Sequence, residues 1–215
     1  MSFELIIFDL DGTLVDTSRD ITNALNFALK DYGYEELTVE KTKKIVGEGI
    51  TRLIEKITSK NNPAMVNQIV ERFVQYYSEH PVDYSYVYPG VKEALNMLEN
   101  CKKAVVSNKR ESLSIKILEL LDLYRYFDVI IGSDTAPERK PSPVPIFYVL
   151  DKMKIKPEQA IIVGDSIFDI EAGKKAGIKT VAVTYGFREK HELLSADFII
   201  DDLRQLHPVI TKIDV

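Results

Sequence analysis

Asp9 and Asp11 flank Leu10 at the end of an apolar run, IIFDLDGTLVD, residues 6–16. A carboxylate at the mouth of a core strand is costly to desolvate, and a second one two residues on repels it unless a cation or a proton intervenes. Two other apolar runs also end in polar residues: KAVVS in Ser107 and Asn108, and AIIVG in Asp165, with Asp169 four residues later. Ligands of open parallel sheets bind beyond the carboxyl ends of the strands, so these separate stretches are expected to converge on one edge. A cluster of oxygen ligands that keeps some water suits Mg²⁺, which would offset the mutual repulsion and clamp a phosphate. Lys140, in ERKPSPVP, precedes a helix that opens amid prolines. Its ammonium would neutralise both the carboxylates and a transferring phosphoryl group, while Ser107 and Asn108 donate hydrogen bonds to the phosphoryl oxygens. Together these parts describe phosphoryl transfer.

The elements that must position them are legible as rhythm. ELIIF, KAVVS, DVIIG, AIIVG and TVAVT are short apolar runs without alternation, bounded by turn residues, as in strands covered on both faces. Helical patterns follow them, for example SLSIKILELL and DIEAGKKAG, making repeated βα units. The fold class expected is α/β, a doubly wound parallel, Rossmann-like sheet. From about Ser18 to Pro81 the rhythm breaks, and only helices are expected. Ile21, Ala24, Leu25, Ala28, Leu29 and Tyr32 share one helical stripe, and Met65, Ile69, Val70, Phe73, Val74 and Tyr77 another. Both read as bundle core rather than as a cofactor box. Shorter helices lie between them, broken at VGEGI by Gly47 and Gly49. An all-helical module, residues 16–83, is thus inserted into a core made of residues 1–15 and 84–215, with Pro89 and Gly90 punctuating the return.

Composition bounds the partners. The 215 residues are 45% hydrophobic and 28% charged with a net charge of −5, which fits a globular protein and argues against a nucleic-acid or anionic-membrane footprint. An anionic substrate must therefore be held by a local cationic site. Cys101 is the single cysteine, and neither a secretory leader nor an apolar run of spanning length is visible, so a cytoplasmic location is expected. The oligomeric state expected is a monomer or a homodimer.

DLDGTLVD, VVSNK, the lysine of RKPSPVP and GDSIFDIEAGKKAG, in that order, resemble the four motifs of the haloacid dehalogenase superfamily of aspartate-dependent phosphotransferases. The helical insertion after the first motif, with VGEGI, is similar to the cap of that superfamily's phosphoglycolate phosphatase-like branch. The resemblance implies that Asp9 is the nucleophile, forming an aspartyl-phosphate, and that Asp11 is the acid and base, its backbone carbonyl binding Mg²⁺. Acid work needs a raised pKa, which surrounding carboxylates would provide. Asp165 is expected to bind the metal directly, and Asp169 either to bind it through water or to position Lys140. Gly12 and Thr13 shape the phosphate loop. In the cap, Glu48 and Arg52 sit one turn apart and are the candidates to reach over the substrate, with an exposed ion pair the competing reading. Arg188, in GFREKHEL, is a lesser candidate.

Each assignment has a plainer alternative. Asp11-Gly12 could be a hairpin turn, disfavoured because a helix is expected to follow. Asp165 and Asp169 could simply cap a helix. Lys109 and Arg110 are read as a solvated helix start, and His80, His191 and His207 as surface residues. The activity expected is Mg²⁺-dependent hydrolysis of a small phosphorylated metabolite, 2-phosphoglycolate first. A β-phosphoglucomutase-like sugar phosphomutase or a pyrophosphatase is the alternative, and a binding protein that has lost catalysis is a third class.

Overall fold

The computed structural model describes residues 3–59 and 62–212. The chain runs β1 (Leu5–Phe8), β2 (Val15–Asp16), α1 (Ser18–Leu29), α2 (Val39–Ile45), α3 (Ile50–Ile57), α4 (Pro63–Glu79), β3 (Tyr86–Val87), α5 (Val91–Met97), β4 (Lys102–Val106), α6 (Glu111–Leu120), β5 (Val129–Ile131), α7 (Val144–Met153), β6 (Ala160–Gly164), α8 (Ile167–Ala176), β7 (Lys179–Val183), β8 (Phe198–Ile200) and α9 (Leu206–Lys212). All five expected strands are present, in a parallel six-stranded sheet of order β5-β4-β1-β6-β7-β8. Its sixth strand, β8, was not anticipated, because its three residues between Asp197 and Asp201 make too short an apolar run to register.

Strand residues alternate between two apolar layers, which explains the unbroken apolar runs. Leu5, Ile7, Ala104, Val106 and Ile162 pack with Ile146, Val149 and Leu150 of α7 and Ala172 and Ala176 of α8. Ile6, Phe8, Val105, Ile161 and Val163 pack on the opposite face with residues of α5 and α6. Each fully buried Leu or Ile contributes about 1.5–3 kcal/mol, so the central strand has little freedom to slip. Register then sets the height of the polar ends. Phe8 lies beside both Val105 and Val163, which brings Asp9, Ser107 and Asp165 out at the same edge. Because β1 is flanked by β4 on one side and β6 on the other, that edge is where the strand order reverses.

The inserted segment is helical, as expected. α1 packs against α4, with Ile21, Ala24, Leu25, Ala28 and Leu29 meeting Val66, Ile69, Val70, Phe73 and Tyr77. Asn62 caps α4, accepting from the N–H groups of Ala64 and Met65 at 3.0 and 3.2 Å, with Pro63 in the first turn. One local expectation needs correcting: a strand, β2, and not directly a helix, follows the Asp11-Gly12 turn. It pairs antiparallel with β3, so the entry to and exit from the helical segment are zipped side by side. The buried Asp20 fastens the exit, accepting the N–H of Ser85 at 2.8 Å and its hydroxyl at 2.6 Å. Among the described residues, no helix is long and apolar enough to cross a membrane.

Candidate active site

Asp9 begins where β1 ends, its own N–H still donating to the Val163 carbonyl at 2.9 Å. Its Oδ1 accepts from the Leu10 N–H at 2.8 Å and from Lys140 Nζ at 2.9 Å. The same ammonium donates to Asp169 Oδ1 at 2.6 Å, while Asp169 Oδ2 accepts the N–H and hydroxyl of Ser166 at 3.2 and 2.5 Å. Asp169 is therefore both a helix-capping residue at the start of α8 and the anchor of Lys140; the two readings coincide. Asp165 Oδ2 accepts the Phe187 N–H at 2.6 Å. Gly12 has a positive φ of 83°, and a Cβ there would strike the Asp165 carboxylate, so only glycine lets the two loops approach.

One carboxylate oxygen from each of Asp9, Asp165 and Asp169 lies within 4.8 Å of the others, in a buried setting. At that spacing two unit charges repel by on the order of 3 kcal/mol at an effective dielectric of about 20. Burial pushes Asp9 up to about 7, with Asp169 and Asp11 adding to the effect and Lys140 opposing it. Burial, then Asp9 and Asp169, hold Asp165 well above the usual carboxylate range. Lys140 is also buried, which works to lower its pKa, but Asp169 and Asp9 outweigh that and keep it charged. Fully ionised, the three carboxylates against one ammonium would leave two negative charges, the state that burial and mutual repulsion resist, and the donor set is all oxygen. A hard divalent cation fits both facts.

Asp11 faces different neighbours from those expected. Its Oδ1 accepts the Thr17 hydroxyl at 2.5 Å and Lys109 Nζ at 2.7 Å. Lys109 is thus no solvated helix start: its side chain is 6% exposed, and it also donates to the Tyr77 hydroxyl of α4 at 2.9 Å. Burial lowers its proton affinity, yet Asp11 and Tyr77 outweigh burial and hold it charged. Ser107 is buried at the edge of the cleft, its hydroxyl accepting the Lys109 N–H at 3.2 Å. The Asn108 amide is not free to grip a phosphate. It donates to the carbonyls of Gly47 and Lys140 at 2.7 and 2.8 Å and accepts the Lys140 N–H at 3.0 Å, which braces the Lys140 loop. Thr13 is fully buried and accepts the Tyr185 hydroxyl at its carbonyl, 2.9 Å away. It builds the loop rather than facing the cleft.

Above the carboxylates, the inserted segment contributes Ile21, Val46, Ile50, Leu53 and Phe73 to the walls of the cleft. Glu48 and Arg52 are not brought there. Glu48 pairs with Lys56 at 2.6 Å and Arg52 with Glu55 at 2.9 Å, both partly exposed, so neither the reach over the substrate nor a Glu48–Arg52 pair is what the helix geometry produces. What closes over the site is main chain. Arg188 donates to the carbonyls of Lys43 and Val46, Arg139 to that of Glu48 at 3.0 Å, and Asn108 to that of Gly47. Gly49 has a φ of 84°, and a Cβ there would sit 2.8 Å from Arg139 Nη1. Arg188 is therefore the stronger candidate among the loop cations. His80, His191 and His207 do not line the cleft. Sequence reasoning missed Tyr77, because its place in an apolar stripe is the same whether or not its hydroxyl has a task.

A parallel sheet whose switch point carries buried aspartates and a fixed lysine defines an α/β phosphotransfer-type enzyme core. Residues 6–183 match the family model of haloacid dehalogenase-like hydrolases, and the chain belongs to that family. It is 45% identical over 185 residues to a phosphoglycolate phosphatase of Aquifex aeolicus, covering 85% of each chain. It is 36% identical over 212 residues to one of Chromobacterium violaceum, covering 95% of each. Among solved structures, a predicted phosphoglycolate phosphatase of Haemophilus somnus superposes with a TM-score of 0.89 at 31% identity, over 97% of this chain and 98% of that one. The chain is an enzyme of the phosphoric monoester hydrolase class.

Proposed function

We propose that this protein is a Mg²⁺-dependent phosphatase of a small phosphomonoester, 2-phosphoglycolate before others, acting through an aspartyl-phosphate on Asp9. The observation that carries it is the buried cluster of the Asp9, Asp165 and Asp169 carboxylates joined by Lys140, with Asp11 at its rim. The choice of 2-phosphoglycolate rests on the relatives' names.

Both contacts of Asp9 fall on Oδ1, which leaves Oδ2 to attack phosphorus. As that bond forms, the ester P–O bond breaks, and Asp11 gives its proton to the departing alkoxide. Asp11, now a carboxylate, takes a proton from water, whose oxygen attacks phosphorus and releases inorganic phosphate and free Asp9. Lys140 holds Asp9 in place and faces the transferring charge; Asp169 positions Lys140. A divalent cation held by Asp9, Asp165 and the Asp11 carbonyl would cancel the surplus charge and draw in the phosphoryl oxygens. Ser107 and the loop of Gly12 and Thr13 border the phosphoryl position. The helical segment, residues 16–83, serves as the cap that excludes water, and the enzyme works in the cytoplasm as a monomer or homodimer.

The test is phosphate release from 2-phosphoglycolate against sugar phosphates, nucleotides and pyrophosphate, with Mg²⁺ and with chelator, using Asp9→Asn as control. Release that prefers 2-phosphoglycolate and vanishes with chelator or in the variant is the expected result. Turnover of a sugar phosphate without phosphate release would replace the hydrolase by a mutase.

A further inference from the structure

Asp11 is joined to the helical segment by a chain of buried polar contacts that the reaction as outlined does not use. Lys109 Nζ stands 2.7 Å from Asp11 Oδ1 and 2.9 Å from the Tyr77 hydroxyl, and 4.7 Å from the centre of the Tyr77 ring. Tyr77 is 1% exposed, near the end of α4, with its ring stacked on Phe73 at 5.3 Å. Asp11 and Lys109 come from the sheet edge, and Tyr77 comes from the inserted helices. All three line the same cleft.

We propose that Tyr77 is a positioning residue for the proton transfers of Asp11, acting through Lys109, so that Asp11 is held in its working place only when α4 is seated over the site. This rests on the reading of Asp11 as acid and base.

A lysine ammonium has three protons and a flexible four-carbon stem, so a single acceptor does not fix its direction. Asp11 takes one proton and Tyr77 a second, so the ammonium is tied to both at once. Thr17 holds Asp11 Oδ1 from the other side at 2.5 Å. Withdrawal of α4 would remove the Tyr77 acceptor and leave the ammonium tied to Asp11 alone, with its direction no longer fixed. Burial pushes the Tyr77 phenol up to about 12, which keeps it neutral and available as the acceptor. Seating of the helices and placement of Asp11 therefore support each other.

The experiment uses the leaving group as its readout. Loss of an alkoxide needs a proton from Asp11; p-nitrophenolate leaves without one, and kcat/KM covers only the steps through this departure. Tyr77→Phe keeps the stacked ring and removes the hydroxyl. Its kcat/KM should fall about tenfold with an alkyl phosphomonoester and less than about threefold with p-nitrophenyl phosphate, a fraction of what general acid catalysis supplies. Lys109→Met should produce the same leaving-group dependence, and adding Tyr77→Phe to it should cost nothing further, since Tyr77 acts through Lys109. Equal losses on the two substrates, or additive losses in the double variant, would overturn the proposal and leave Tyr77 a packing residue. Asp11→Asn separates this failure from that of the underlying reading. If it lacks the same substrate dependence, Asp11 is not the acid, and both fall together.

Discussion

The floor and the roof of the cleft are built on different principles. The floor packs four aspartates and two lysines along the carboxyl edge of the sheet, each side chain held by a named partner. The roof offers apolar side chains and the carbonyls of residues 43–48, gripped from below by Arg188, Arg139 and Asn108. On the proposed function, charge is concentrated where bonds would be made and broken, and shape where a substrate would be enclosed. The floor should therefore accept few changes of residue type, whereas the roof should accept many side chains but few changes of backbone.

The largest effect should come from the floor. Asp9→Asn should lower phosphate release by a thousandfold or more, on the order seen when a nucleophile is removed, with the far-ultraviolet spectrum unchanged. Residual activity within tenfold of wild type would move the nucleophile elsewhere. Lys140→Met comes next. It leaves a buried carboxylate pair uncompensated and should destabilise the fold by about 3–5 kcal/mol in chelator, part of which a divalent cation restores; urea titrations with and without Mg²⁺ measure both.

The same comparison has a pH signature. Asp9 is raised in the fold from 3.8 to about 7, so its folded form binds a proton more tightly than its unfolded form. Stability in chelator should therefore fall as pH rises between about 4 and 7, where the unfolded chain has already released that proton. Saturating Mg²⁺ should flatten that slope. An unchanged slope would mean that no cation binds between these carboxylates.

On the roof, Gly49→Ala places a side chain at a positive φ and against Arg139. It should cost about 1–2 kcal/mol and raise KM more than it lowers kcat. Arg52→Ala should do least, within about 0.5 kcal/mol and twofold in kcat/KM, because its partner is Glu55 on an exposed face. A marked shift in substrate preference from Arg52→Ala or Glu48→Gln would erase the contrast and return these side chains to the cleft.

The sequence alone determined five of the six strands of the parallel sheet, because their apolar runs can only be satisfied between two packed layers, and which carboxylates would stand at the ends of β1 and β6, because register follows from those same runs. It determined the helical nature of the insertion, since the stripes of α1 and α4 have no other period. Tertiary structure decided the partners. Lys109 is a charged residue before a helix, and only the approach of α4 turns it from a solvated cation into the bridge between Asp11 and Tyr77. Asn108 became a brace because the Gly47 and Lys140 carbonyls arrive from segments far apart in the chain. Arg188 became a latch because its acceptors are carbonyls, which every residue carries and no motif reveals. Periodicity records how a segment meets a core, but a hydrogen bond to another segment's main chain leaves no trace in residue type.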